Sequence, residues 1–200
     1  MTVLALVVEP TEVTASVGAD GRVTSAARLP LTPHPAGPGR SELVAEDLWR
    51  TVLGVLRTVA DEVPVSALSV TGPSTSLLLW DTETLGSPRP ALLAPDPRAA
   101  DPAAGLAWVA EHEPHTWALV LDERYAAGPV ASYVVARMTR GLQHVTTDPA
   151  WSADRAAELG VPAEALPELV PPGTEVGLTD PRLVLGMRLP ISLPPAGGAA

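Results

Sequence analysis

The 200-residue sequence contains no Cys, no Lys, no Asn and no Phe, and all 13 of its basic residues are Arg. Without Cys there are no disulfides, thiol nucleophiles or thiolate metal sites. Without Lys there is neither Schiff-base chemistry nor a P-loop lysine. The same bias, rich in Ala, Pro and Arg, is what a high-GC genome imposes, and the exclusions hold whatever its origin. No apolar run approaches the roughly 18 residues that span a bilayer, and the N-terminus has no basic signal-peptide start. A formal charge of -10 and a pI near 4.7 disfavour nucleic acid and anionic membrane as partners. A soluble, cytoplasmic chain is expected.

What is present is apolar enough to fold. Hydrophobic residues make up 46% and the mean hydropathy is +0.19, which suits one globular domain with a sizeable core. Strands are predicted at Val3 to Val8, Val13 to Val17 and Arg22 to Leu29, an antiparallel meander whose second turn is Asp20-Gly21. "PLTPHPAGPGR" reads as a surface loop. From Glu46 the pattern turns helical, with Leu48, Val52, Val55, Leu56, Val59 and Val63 on one stripe. "ALSVTG", "SLLLWD" and "PALLAPD" supply three more strands. Helices are predicted to start at Asp101-Pro102, to run from Pro129 to a Gly141 stop, and to lie between Ser152 and Gly160. The order argues for a mixed α/β sheet with flanking helices. "LPISLPPAGGAA" reads as a linker, so residues 1–180 are expected to form the domain and 181–200 a Pro/Gly-rich tail.

Taken in order, these segments resemble the N-terminal domain of the FGGY carbohydrate kinases, such as glycerol kinase and xylulose kinase. The likeness rests on "GADGRV" closing the first hairpin, "PGRSELVAEDLW" before the helix, "LSVTG", "LLLWDTETLGSPRPALLAPDPRAAD", and "LGVPAEALPELVPPGTEVG". It implies an actin-like, ribonuclease-H-like fold, and in intact members two such domains closing on a sugar or polyol and ATP.

The resemblance also marks what has changed. The family's phosphate hairpin reads D-x-G-T-T-S. Here Val7 stands at the acid, Glu9 at the Gly, Pro10 at the first Thr and Glu12 at the Ser, with Thr11 retained. Two carboxylates beside a polyanion are repulsive. On the sugar side, "TGPSTS" lacks the Gln after Gly72, and Ser74 and Thr75 replace an Arg-Glu pair. Ala94, Pro95 and Pro97 replace family residues, while Asp96, Arg98 and Asp101 survive, Asp101 as a helix cap. A hairpin after Asp148 is missing. The catalytic Asp falls in a Gly-rich segment where this chain has Gly197-Gly198, and the ATP domain would follow.

The expectation is therefore a truncated, non-catalytic relative that acts by binding and needs no cofactor. It would hold a polyol- or sugar-like ligand around Ser74, Thr75, Trp80, Asp96 and Arg98, or bury its exposed inner face against a protein, most simply as a homodimer. The alternatives are a split kinase completed by a separate ATP-binding subunit, and an enzyme repurposed for non-phosphoryl chemistry. No metal site is expected, since Pro114 separates His112 from His115. His34 and His144 are read as exposed. Asp122-Glu123 is read as a strand pair on opposite faces, and the Trp residues chiefly as core, with Trp80 and Trp151 the two best placed to flank a cleft.

Overall fold

A computed structural model of the chain describes residues 2–19, 22–60, 64–158 and 160–195. The expected Asp20-Gly21 turn, Val63 and Gly197-Gly198 lie outside the described residues.

Strands β1 (Thr2–Glu9), β2 (Glu12–Ala19) and β3 (Arg22–Pro30) form the meander. Alternation sends Leu4, Leu6 and Val8 of β1 and Val13, Ala15 and Val17 of β2 to one buried face. The following loop is mostly exposed, but its Leu31 is buried, and β4 (His34–Pro35) pairs with β5 (Ser41–Leu43). Helix α1 (Ala45–Ala60) buries Leu48, Val52, Val55, Leu56 and Val59. Its close approach to β3 depends on Gly54, where an added Cβ would lie 2.7 Å from Leu29 Cδ1.

The chain re-enters the sheet at β6 (Ala67–Thr71), parallel to β1. Strand β7 (Ser76–Asp81) is buried on both faces, Leu78 and Trp80 in the larger core and Leu77 and Leu79 in a smaller one. This explains its unbroken apolar run. It pairs with β8 (Ala91–Leu93). Helix α2 (Pro102–His112) is capped by Asp101, whose side chain accepts from the Ala104 N–H at 2.9 Å. Pro114 ends it and opens α3 (Pro114–Leu121).

Asp122 and Glu123 are not a strand pair. Asp122 terminates α3, and Glu123 has φ 57, so both belong to a helix-end turn that leads into β9 (Tyr125–Gly128). Helix α4 (Val130–Met138) follows Pro129, and Gly141, at φ +78, stands in the stop that was expected there. Beyond it lie β10 (Val145–Thr146), α5 (Ala153–Glu158), β11 (Glu168–Leu169), β12 (Glu175–Leu178) and β13 (Pro190–Ser192).

The strands make a six-stranded sheet, β12-β13-β6-β1-β2-β3, a five-stranded antiparallel sheet, β4-β5-β8-β7-β9, and the small pair β10-β11. Part of the expected tail from residue 181, the strand Pro190–Ser192, is drawn into the first of these. Leu189, Ile191 and Leu193 are buried in strict alternation, and Pro190 stands at the strand's first position, where a missing N–H is tolerated. Among the described residues no helix is long and apolar enough to cross a membrane.

Candidate functional site

Parallel strands β1, β6 and β13 end at one edge of the sheet, the usual location of binding loops in α/β folds. Val7 pairs with Thr71, so the first hairpin and the Thr71–Thr75 loop are neighbours. The hairpin is tight: Val8 faces Val13, Glu9 faces Glu12, and Pro10 and Thr11 alone form the turn. Neither turn residue has a positive φ. Pro10 has no N–H to offer an anion, and the Thr11 carbonyl accepts from the Leu31 N–H at 2.7 Å. Glu9 is exposed, and Glu12 meets the Arg28 guanidinium at 3.4 Å. The hairpin end thus presents carboxylates and no cluster of free donors.

Beside it, a cleft is lined by Thr71, Gly72, Ser74, Thr147, Asp148 and Pro194. Gly72 is required by close approach to α4, because a Cβ there would lie 3.1 Å from Ala131 N. The Thr71 hydroxyl is buried with no partner. Asp148 spends one carboxylate oxygen on the Ala150 N–H at 2.9 Å. Thr147 Oγ1 donates to the Pro194 carbonyl at 2.8 Å, which fixes Leu193–Pro195 in the cleft and leaves about 30 Å³ free. That space admits water and little else.

The five expected ligand residues do not converge. Ser74 lines the cleft, and Thr75 lies next to it, its carbonyl accepting from Ala94 N at 3.2 Å. Trp80 is 2% exposed, packed against the Tyr133 and His144 rings at 5.5 and 4.8 Å. Asp96 and Arg98 belong to a buried ion cluster. Arg98 Nη2 donates to Asp96 Oδ2 at 2.7 Å, Arg98 Nη1 meets Glu42 at 3.0 Å, and the guanidinium lies 4.7 Å from the Trp108 ring centre. Arg89 Nε donates to Glu113 at 2.9 Å, and its Nη2 forms a looser ion pair with Glu42 at 3.6 Å. Burial works to raise the Asp96 carboxyl, but bonds from Arg98 and from the Ser41 N–H outweigh it and hold the group below its ordinary value. Arg98 is raised, chiefly by its bond to Asp96.

His144 is not exposed. Its Nε2 is buried without a partner near Gly128, and burial pushes its pKa down to about 4, with the Ala127 backbone opposing. His34, His112 and His115 are exposed, and among the described residues no group of three or more His, Asp or Glu could hold a metal ion. Thr71, Thr147, Asp148 and Pro194 were missed by the sequence reading. Thr71 alone carried a signal, as the polar end of an apolar strand.

The paired sheets, with helices against them and loops at the ends of the parallel strands, define an actin-like, ribonuclease-H-like α/β domain of the sugar-kinase type. Plasmodium falciparum glycerol kinase superposes with a TM-score of 0.87 at 13% identity, over 97% of this chain and 48% of that one. Xylulose kinase from Rhodospirillum rubrum gives 0.82 at 18% identity, over 98% and 49%. In sequence, the glycerol kinase of Xanthobacter autotrophicus is 28% identical over 216 residues, covering 86% of this chain and 43% of that protein. That of Gluconobacter oxydans is 25% identical over 209 residues, covering 83% and 41%. No family model matches the sequence. In sequence and in fold the chain is thus similar to the N-terminal half of these carbohydrate kinases, and it spans less than half the length of the curated relatives it matches.

Proposed function

We propose that this domain works by binding and performs no phosphoryl transfer of its own. The observation that carries this reading is the hairpin at Glu9–Glu12. Phosphoryl transfer rests on positioning and on stabilising the charge of the transferred group. Val7, Glu9, Pro10 and Glu12 offer no metal-placing acid at the strand end, one missing N–H, and two negative charges where a polyphosphate would lie. Purified chain supplied with magnesium, ATP and a panel of polyols and pentoses is expected to transfer no phosphate, and sustained turnover would overturn the reading.

The partner that best suits the remaining surface is a protein. The cleft at Ser74 is occupied by Leu193–Pro195, so a polyol- or sugar-like ligand binds there only if that segment withdraws. Exposed Leu142, Leu169 and Leu178 supply apolar contact area, and a twofold homodimer needs only one self-complementary patch. Sedimentation at micromolar concentration is expected to show a dimer, whereas a clean monomer transfers the case to the small ligand.

A further inference from the structure

The cleft at Ser74 is closed by the chain itself, and the closing segment is fastened unevenly. Ser192 is paired on both sides, with Ser69 of β6 and with Glu175 of β12. Leu193 is 3% exposed in the main core, and its carbonyl accepts from the Gly173 N–H at 2.8 Å. From Pro194 onward the hold changes. Pro194 is half-buried, Pro195 is exposed, and neither has an N–H to give to a neighbouring strand. Among the described residues, the one hydrogen bond made by these two prolines is that from Thr147 Oγ1 to the Pro194 carbonyl, at 2.8 Å. That bond uses the cleft's own donor, since Thr147 lines the cleft. The strap's oxygen therefore sits where the oxygen of a hydroxylated ligand would sit, and the two exclude each other.

We propose that Pro194–Pro195 is a self-inhibitory strap, hinged at Leu193, that exchanges with a polyol for the Thr147 hydroxyl. The ladder up to Ser192 and the buried Leu193 stay in place while the proline pair swings away. Two adjacent prolines move as a stiff unit, because each ring fixes its own φ. The apparent affinity for a polyol is then the intrinsic one scaled down by the fraction of chains whose strap is open. The inference takes its ligand class from the binding reading above. The two fail separately, since that reading is tested by phosphoryl turnover and the strap by binding alone.

The probe is glycerol, titrated into ¹⁵N-labelled protein while the Gly72, Ser74 and Thr147 amide signals are followed. Pro194→Gly with Pro195→Gly restores the backbone freedom that proline removes and so favours the open strap. This pair is expected to tighten the glycerol Kd about tenfold relative to the native chain. Adding Thr147→Val to the glycine pair takes away the shared donor, and should weaken glycerol at least about fivefold or abolish saturation. Exchange of the Gly173 amide, which donates to Leu193, is expected to stay as slow as in the native chain, because the hinge lies beyond that bond. A Kd that the glycine pair leaves unchanged would overturn the proposal, as would no saturable shift in that variant up to about 100 mM glycerol. So would a Kd indifferent to Thr147→Val, or fast Gly173 exchange in the glycine pair, which would put the moving part in the core strand.

Discussion

The β1–β2 hairpin and the segment around Asp96 present opposite surroundings in one domain. At the hairpin, Val7, Glu9, Pro10 and Glu12 stand at or beside a tight turn, where the proposed reading sees a lost phosphate site, and the strands pair undisturbed around them. In the second segment Asp96, Arg98 and Asp101 persist, and each has structural work: an ion pair, a stack on Trp108, a helix cap. The contrast teaches that a residue matching a family motif can be tied up in the fold: Asp96 and Arg98 are buried as partners, where losing either would be costly, while Glu9 is exposed and Glu12 half-buried, so both are freer to vary.

The largest effect that could break this contrast is at Asp96. Asp96→Ala leaves Arg98 buried with Glu42 alone and takes an acceptor from Ser41 N, so urea unfolding should report a loss of about 3–5 kcal/mol. A loss below about 0.5 kcal/mol, the scale of surface changes, would erase the distinction between the two regions.

Second comes His144. Its pKa is lowered from 6.5 in the unfolded chain to about 4 in the fold, so the unfolded state binds the proton first as pH falls. Stability from this group is complete above pH 6.5, declines by at most about 1.4 kcal/mol per pH unit, and reaches its floor near pH 4. Asp96 adds a separate decline at lower pH, as its depressed carboxyl is protonated. Unfolding curves from pH 7 to pH 4 should show the slope in the native chain and lose it in His144→Gln. A slope that survives the substitution removes His144 as its source.

Asp101→Ala is expected to cost about 1 kcal/mol, the value of a helix cap, in the same urea assay. Smallest of all, Glu9→Gln with Glu12→Gln should change stability by less than about 0.5 kcal/mol. A large loss there would show that the hairpin carboxylates also carry the fold.

The architecture was legible wherever a local pattern settles the outcome. The 3.6-residue stripe of α1, the alternation in β1 and β2, the Asp101-Pro102 start and the Pro114 break each depend on nearby residues. What escaped depends on long-range contact. Leu189, Ile191 and Leu193 alternate like a strand, but flanking prolines gave them the look of a linker, and only pairing with β6 and β12 makes them one. His144 stands two residues after an exposed Leu142, and nothing local announces that Trp80 and Gly128 enclose it. The ion cluster joins Asp96 to Ser41 N across 55 positions. Ser74 was reachable by resemblance, whereas the narrowing of its cleft by Pro194 follows from tertiary structure alone.

The central proposal is that the hairpin holds no nucleotide, and calorimetric titration of the purified chain with magnesium-ATP tests it most directly. No saturable heat is expected up to millimolar ATP, because Glu9 and Glu12 oppose the phosphates and Pro10 withholds a donor. Saturable binding with micromolar affinity would contradict the account.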